Sequence, residues 1–292
     1  MKIAWFIASL MLVVGAPVAN ARDEPSPLGP QAGDTYEIRL ERESKEEGSD
    51  GSSGSSTDRD TIVERVIAVR DDGLELEYDL PQAITEQDRT ANWQFPVRVF
   101  KPNRGPMQLL NLSELEARVD GWLKAAKWTR DVCGRWIFTW NAFRIECDPQ
   151  SVLKTIEAFD LGSADLQDGA PYRDKEALGF APLKKQAAGA EGATFTAELK
   201  VNPEAVRQAR AESDVVVGEI MKKPVTLDAA LQARATEAIS GTILVTFETD
   251  SIGNTRRRTR VIKLEIKEVN GVVETKTVSE TVERQPVGRT KS

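Results

Sequence analysis

The chain has 292 residues, with 39 Lys and Arg against 46 Asp and Glu, two cysteines and no histidine. The lack of histidine excludes Ser-His-Asp and Cys-His catalysis and imidazole zinc sites, and two cysteines cannot form a four-thiolate zinc site or hold an iron–sulfur cluster. No phosphate-binding glycine loop (GxxxxGK(S/T) or GxGxxG) occurs, so we expect no cofactor, no metal and no binding of nucleic acid by this acidic chain.

The first residues have the pattern of a secretory signal peptide. Lys2 precedes an apolar run over residues 3–14, and Ala19-Asn20-Ala21 has the small-x-small pattern of a cleavage site. The apolar run has about 12 residues, whereas a membrane-spanning helix needs about 20. The pattern predicts a signal peptide over residues 1–21, cleaved between Ala21 and Arg22, and a periplasmic or secreted product that does not span a membrane.

Residues 22–33 are rich in proline and glycine and predict a disordered lead-in to a single domain over residues 34–292. Apolar alternation predicts strands over residues 35–44, 61–70 and 74–80, with a polar loop over 45–60 and a tight turn at 71–73. These strands form a three-stranded antiparallel meander with one apolar face. The absence of EF-hand spacing argues against a calcium site in the polar loop.

Residues 93–100 alternate as a strand that Pro96 confines to an edge or interrupts. Ser113 and Glu116 form an S-x-x-E capping-box pattern ahead of apolar residues at helical spacing. The sequence therefore predicts a helix over residues 113–128 that presents one apolar stripe to a sheet.

Residues 131–149, DVCGRWIFTWNAFRIECDP, predict a β-hairpin closed by a disulfide. A two-residue turn at Asn141-Ala142 places Trp136 opposite Cys147, and Gly134 supplies the kink that lets Cys133 reach Cys147. Pairing is the usual state of two cysteines in an exported protein, and the absence of CxxC argues against a redox-active pair.

The second half of the chain predicts helices after two proline-containing start signals, at residues 148–149 and 202–203. Residues 162–192 predict an extended loop that could mark a domain boundary, and residues 215–217 fit either a buried strand or a helix. A further helix is expected to end at Gly241. Three strands follow, with Asn270-Gly271 as the last hairpin turn, and Ile262, Leu264 and Ile266 define their buried face.

The fold class that these elements predict is α+β: a long, mostly antiparallel β-sheet, built from two three-stranded meanders and a central hairpin, with about four flanking helices. The layout resembles the half-barrel carriers of the Gram-negative periplasm, which implies a concave apolar sheet face.

Three features are candidate sites. The first is a set of aromatic residues, Trp122, Trp136, Phe138, Trp140 and Phe143. They could line a pocket for a lipid or a sugar, or they could belong to the core, which is the interpretation we favour. The second is the carboxylate set of a possible hydrolase, Asp131, Glu146 and Asp148. The third is the apolar inner face of the sheet. Arg256, Arg257 and Arg258 alternate between faces and predict a solvated strand end.

Three functions remain compatible with the sequence. The first is a non-catalytic exported protein that binds an apolar ligand such as a lipid in the curved sheet. The second is a cell-envelope protein that recognises another protein through an exposed sheet edge. The third, ranked last, is a carboxylate-dependent hydrolase.

Overall fold

A computed structural model describes residues 29–138, 142–161, 166–189, 192–268 and 270–287. The predicted signal peptide, its cleavage site at Ala21 and Arg22, and most of the lead-in lie outside these residues. The strands are β1 (Thr35–Gly48), β2 (Ser53–Arg70), β3 (Gly73–Asp79), β4 (Val97–Pro102), β5 (Gln108–Leu109), β6 (Trp136–Phe138), β7 (Ala142–Arg144), β8 (Pro171–Arg173), β9 (Phe180–Pro182), β10 (Lys184–Gly189), β11 (Gly192–Lys200), β12 (Ala238–Thr249), β13 (Thr255–Lys267) and β14 (Val273–Pro286). The α-helices are α1 (Glu86–Ala91), α2 (Leu112–Ala125), α3 (Ser151–Ala158), α4 (Pro203–Ile220) and α5 (Leu227–Ala233).

Ten strands form one antiparallel sheet in the order β10-β11-β12-β13-β14-β1-β2-β3-β4-β5. The two ends of the described chain meet at its centre, where β1 pairs with β14 from Tyr36↔Pro286 to Gly48↔Glu274. The prediction of a mostly antiparallel sheet with flanking helices is confirmed. The described residues contain five α-helices rather than about four, and β6–β7 and β8–β9 form separate two-stranded sheets.

The prediction of a long polar loop over residues 45–60 is wrong. β1 continues to Gly48 and β2 begins at Ser53, so only residues 49–52 connect them. The β1–β2 register extends to Glu47↔Ser53. Because β14 supplies backbone partners on the other side of β1 over the same length, strand pairing overrides the low strand propensity of this Ser- and Gly-rich segment.

The prediction of an extended loop over residues 162–192 is also wrong in its described part. The segment contains β8, β9 and the edge strand β10, so its glycines and prolines separate short strands. Two of its side chains are buried against the sheet, Leu183 at 1% exposure and Ala177 at 5%. Burial of apolar surface fixes a segment whose local signals resemble those of a loop.

The helix before β12 ends earlier than predicted. The helix expected to reach Gly241 ends at Ala233, and Gly241 lies within β12. A Cβ at position 241 would lie 2.3 Å from the carbonyl oxygen of Lys263 on the neighbouring strand, so glycine permits close backbone approach there. Residues 215–217, for which the sequence left two possibilities, are helical and belong to α4.

The start of α2 is not the predicted capping box, because the helix begins at Leu112 and Ser113 lies inside it. Asn111 occupies the position before the helix. Its Oδ1 accepts a hydrogen bond from the backbone N–H of Arg98 at 3.0 Å, and its Nδ2 donates to Glu114 Oε2 at 3.2 Å. The asparagine therefore ties the start of α2 to β4.

One face of the ten-stranded sheet, the inner face, carries two separate apolar cores. The first core lies at the β1–β5 end, where α2, α3 and the β6–β7 region cover the sheet; its buried residues include Ile38, Leu40, Ile62, Leu76, Val97, Val99, Leu115, Val119, Leu123, Ile145, Val152 and Ile156. The second core lies at the β11–β13 end, and its buried residues include Ala177, Leu183, Phe195, Leu199, Val206, Ile243, Val245, Phe247, Ile262 and Ile266. Both ends of the inner face are thus filled by the chain itself.

The opposite face of the sheet, the outer face, is polar. A row of threonines crosses four strands in register, as Thr196↔Thr246, Thr246↔Thr259 and Thr259↔Thr281. Leu244 of β12 also lies on this face and is 43% exposed. The alternation predicted for half-buried strands therefore separates the two faces of the sheet.

The central hairpin has a different register from the predicted one. Trp136 pairs with Arg144 and Phe138 with Ala142, whereas the prediction placed Trp136 opposite Cys147. Asn141 of the predicted turn lies outside the described residues. Gly134 has a φ of +80° and its N–H donates to the carbonyl of Ile145 at 2.7 Å. This bend brings the chain before β6 back beside the chain after β7.

The predicted disulfide between Cys133 and Cys147 is present, with Cα atoms 5.6 Å apart. Cys147 is 7% exposed and belongs to the first core, and Cys133 packs against that core. The bridge therefore holds the hairpin region against the same core that α2 and α3 cover.

Replacing both cysteines with alanine is expected to lower the free energy of unfolding by about 3 kcal/mol, because the bridge closes a loop of roughly 15 residues in the unfolded chain. Urea denaturation of the oxidised protein and of the double variant measures the difference. Reductant should destabilise the wild type and leave the variant unchanged. Two thiols that alkylate in the unreduced, unfolded wild type would show that the bridge does not form.

Candidate binding trough on the inner face

The predicted aromatic pocket residues fall into different surroundings. Trp122 packs against the first core and contacts Trp128 edge to face, with ring centroids 5.7 Å apart. Trp136 instead donates a hydrogen bond from Nε1 to Glu219 Oε2 on α4 at 2.6 Å. Phe138 and Phe143 lie on β6 and β7, but their side chains, and Trp140 entirely, lie outside the described part of the structure.

Trp122 lines a depression of about 240 Å³ together with Trp93, Arg144 and Ile145, and Trp136 is not among its lining residues. The two described tryptophans of the predicted set therefore do not line one common cavity. The use of the full set as a ligand site stays a prediction.

The three candidate carboxylates serve local structure. Asp131 pairs with Arg135 at 3.3 Å. Glu146 Oε1 accepts from the backbone N–H groups of Cys147 and Asp148, both at 2.9 Å, and Asp148 Oδ1 accepts from the N–H of Gln150 at 2.9 Å. All three residues are exposed. Hydrogen bonds within the turn account for Glu146 and Asp148 without a catalytic role.

At the β13–β14 edge of the second core, to which Val206, Ile262 and Ile266 belong, the inner face is open. We call this region the central trough and define it by its floor, Ile262, Leu264 and Ile266 of β13 and Val278 of β14, and by the wall that α4 forms with Val206 and Ala209. Its volume is about 560 Å³. Leu264 and Val278 are partly exposed, whereas Ile262 and Ile266 are buried. The trough thus offers a narrow aliphatic floor rather than a closed apolar cavity.

Ion pairs form the rim of the trough beside α4. Arg210 on α4 pairs with Glu274 of β14 at 2.8 Å, with Glu268 just after β13 at 3.2 Å, and with Glu237 at 3.5 Å. Glu237 and Glu274 are buried, at 6% and 7% exposure. Moving α4 away from the sheet would leave the buried carboxylates without their cationic partner, which is strongly destabilising. These ion pairs therefore fix the position of α4 over the sheet.

Arg234 adds a second set of contacts to this rim. Its guanidinium donates to Asp214 at 2.6 Å and 2.8 Å and to Glu237 at 2.6 Å. The hydrogen bonds from Arg234 hold the pKa of Asp214 below its usual value, and the same contacts raise the pKa of Arg234. Both groups therefore stay charged at neutral pH.

Arg260 of β13 lies at the other end of the trough. It donates to both oxygens of Asp174 at 2.7 Å and 2.8 Å and to Glu176 at 3.0 Å. Burial is the largest single influence on the pKa of Asp174 and would raise it. The hydrogen bonds from Arg260 and from the backbone N–H of Glu176, together with the charges of Arg260 and Lys175, outweigh burial, so the pKa is lowered. Asp174 follows β8, so this bidentate pair anchors the β8–β9 hairpin to the sheet.

The sequence located part of this site and missed the rest. Ile262, Leu264 and Ile266 were predicted as an apolar sheet face, and they form the trough floor. The prediction of a solvated strand end at residues 256–258 is wrong for Arg258. Its side chain lies on the inner face, is 18% exposed and pairs with Glu280 at 3.0 Å. The alternation of this run was the available signal, since it placed Arg258 on the face of Ile262.

The lining of the trough consists mostly of aliphatic and charged side chains. Its charged side chains are engaged in ion pairs, and the described residues contain no cluster of three carboxylate or cysteine side chains that could hold a metal ion. Among the described helices, none has the length and hydropathy needed to cross a membrane. The lining combines an aliphatic floor with a polar rim, which is the usual composition of a small-molecule site.

No protein-family model and no curated protein matches the chain. A solved structure that concerns lipid–protein interactions in lipovitellin is similar with a TM-score of 0.40 and 9% sequence identity. The alignment covers 90% of this chain and 26% of the lipovitellin chain, so this chain spans about a quarter of that protein. Similarity at this level establishes neither a shared fold nor a shared ligand.

Proposed function

We propose that this protein is a non-catalytic, exported binding protein that holds the apolar chain of an amphiphilic ligand, such as a lipid, in the central trough. The observation that carries the proposal is the open strip of inner face over β13 and β14, at the edge of the second core. Its floor is aliphatic, at Leu264 and Val278, and is accessible, whereas the rest of the apolar inner face is covered by α2, α3 and the β8–β9 region.

The rim favours an amphiphile over a purely apolar molecule. Lys276 pairs with Glu46 at 3.0 Å directly beside the floor, because Lys276 is the cross-strand neighbour of Leu264. A ligand that lay on this floor would touch charged groups along its length. Polar atoms on the ligand would satisfy those groups, and a fully apolar ligand would desolvate them at a cost.

Recognition of another protein through a sheet edge has less support. The edge strand β5 has two residues. The other edge strand, β10, carries Lys184 and Lys185 and has an irregular register between Lys185 and Ala187. Short, charged and irregular edges hinder the addition of a further strand.

Export of the protein is supported only by the signal-peptide pattern of residues 1–21 and by the disulfide, which is typical of an oxidising compartment. N-terminal sequencing of the protein from fractionated cells tests it. A mature chain that begins at Arg22 in the periplasmic or secreted fraction is the expected result.

Native mass spectrometry of protein purified from that fraction tests the binding function. We expect a population with an added mass that disappears after organic extraction and is recovered as a lipid in the extract. A mass equal to that of the polypeptide alone, with no lipid in the extract, would contradict the proposal.

Replacing Leu264 with glutamate is expected to weaken binding of an acyl-chain fluorophore, 11-(dansylamino)undecanoic acid, about tenfold or more, because a carboxylate on the floor must be desolvated when the chain binds. Fluorescence titration measures the affinity. Leu244→Glu is the matched control, since Leu244 lies on the outer face of the same sheet and is 43% exposed. Equal loss of affinity in both variants would place the binding site elsewhere.

A further inference from the structure

We infer that the central trough continues into a cationic cleft that binds the anionic head group of the ligand, and that a phosphate monoester fits this cleft best. The inference rests on the proposed function for the apolar part of the ligand. It assigns a second site, with its own residues, for the charged part.

The cleft has a volume of about 700 Å³ and lies on the inner face between α3 and β8. Six cationic side chains line it: Arg42, Lys154, Arg173, Lys175, Arg258 and Arg260. Three carboxylates line it as well: Glu157, Asp174 and Glu280. The lining therefore has an excess of three positive charges in a chain whose net charge is −7. A local reversal of sign of this size attracts anions.

Much of the positive charge in the cleft is not neutralised by the protein. Glu280 is shared between Arg42 and Arg258, each at 3.0 Å. Within the described residues, neither Lys154 nor Lys175 has a carboxylate within ion-pair distance, although the charge of Lys175 contributes to the lowered pKa of Asp174.

Three side chains supply hydrogen-bond donors to the cleft. The guanidinium of Arg173 lies over the ring of Phe180, 5.5 Å from its centroid, and has no ion pair among the described residues. The Nε of Arg258 is buried and makes no hydrogen bond there. Burial raises the pKa of Tyr172, which also lines the cleft, so its hydroxyl is protonated and can donate at neutral pH. Donors of this kind suit the oxygens of a phosphate group.

The cleft and the trough are contiguous on the sheet. Arg260 lines both. Arg260 of β13 pairs with Glu280 of β14, and Ile262 pairs with Val278. The second pair is two residues further along the same face of the two strands, so the charged pair of the cleft lies next to the aliphatic pair of the trough floor. Residues two apart on a strand lie about 7 Å apart. A head group in the cleft would thus place the start of its chain over the aliphatic floor.

Four probes with the same chain and different head groups test the inference: dodecyl phosphate, dodecanoate, dodecanol and dodecyltrimethylammonium, each below its micellar concentration. Displacement of 11-(dansylamino)undecanoic acid from the full-length protein measures the affinity of each probe. We expect dodecyl phosphate to bind most tightly, dodecanoate next, and the other two at least about tenfold more weakly, with an affinity for the phosphate that falls as salt rises.

The variant Lys154→Gln/Lys175→Gln isolates the cleft without breaking an ion pair of the described structure. We expect the loss of these two exposed charges to weaken binding of dodecyl phosphate about fivefold to tenfold and to leave binding of dodecanol unaffected. Lys200→Gln/Lys263→Gln is the control, because it removes the same charge from exposed residues on the outer face.

The outcomes separate the two proposals. Equal binding of all four probes, or equal losses in the cleft and control variants, would overturn the cleft and leave the trough standing. Failure of every C12 probe to bind, together with binding of inorganic phosphate that the cleft variant weakens, would overturn the trough and support an anion site. Binding of neither the probes nor phosphate would overturn both.

Discussion

Replacing Arg260 with methionine is expected to lower the free energy of unfolding by about 3–5 kcal/mol at neutral pH, the usual cost of removing one partner of a buried ion pair. Asp174 is 5% exposed at its side chain and receives two hydrogen bonds from Arg260. Without the guanidinium, this carboxylate would be buried with no bidentate partner. Urea denaturation of the wild type and the variant measures the difference.

The size of this loss should depend on pH. In the wild type the pKa of Asp174 lies below its ordinary value of 3.8, so its stabilising contribution is present above that value and is lost as pH falls through the lowered pKa. In the variant the hydrogen bonds and the charge of Arg260 are lost, so burial is expected to outweigh the remaining hydrogen bond from the backbone N–H of Glu176 and to raise the pKa of Asp174. The charged form of Asp174 is then unfavourable in the folded variant, so the variant loses stability as pH rises. The difference between the two proteins should therefore be largest at neutral pH and should shrink as pH falls through the raised pKa of the variant and on towards the lowered pKa of the wild type.

Arg59→Met is the control for this experiment. Arg59 is 73% exposed at its side chain and pairs with Glu41 on the outer face, and exposed pairs of this kind contribute about 0–1 kcal/mol. Equal, small effects of the two substitutions would mean that the Arg260–Asp174 pair does not anchor the β8–β9 hairpin. A loss for Arg260→Met that did not change between pH 7 and pH 4 would contradict the assignment to Asp174.

Replacing Phe247 with alanine is expected to lower the free energy of unfolding by about 3–5 kcal/mol, through lost apolar burial and the cavity left in the second core. Phe247 is 1% exposed and contacts Tyr172 edge to face, with ring centroids 5.5 Å apart. The substitution would remove the contact between β12 and β8. Thermal and urea unfolding both measure the effect.

Leu244→Ala on the same strand supplies the comparison. Leu244 lies on the outer face and is 43% exposed, so its truncation should change the free energy of unfolding by no more than about 0.5 kcal/mol. A similar cost for both substitutions would show that the outer face is also covered, for example by a second copy of the chain. That outcome would contradict the assignment of the two sheet faces.

The sequence by itself determined the features that depend on neighbours along the chain. Alternation at Ile262, Leu264 and Ile266 assigned these side chains to one face of a strand, because successive residues of a strand point to opposite faces. The pairing of Cys133 with Cys147 was predicted from the presence of two cysteines and from the expected export of the chain. The absence of histidine excluded whole classes of chemistry before any fold was known.

Only the tertiary structure decided what depends on partners distant in sequence. The polar residues 45–48 and 53–60 form strands because β14, more than 200 residues away, pairs with β1. Arg260 and Asp174 are 86 residues apart in sequence, and an ion pair leaves no periodic pattern from which its partners can be read. Local alternation also does not show which part of an apolar sheet face is covered by the rest of the chain. The candidate trough is the part left open, and its position followed only from the packing of the two cores.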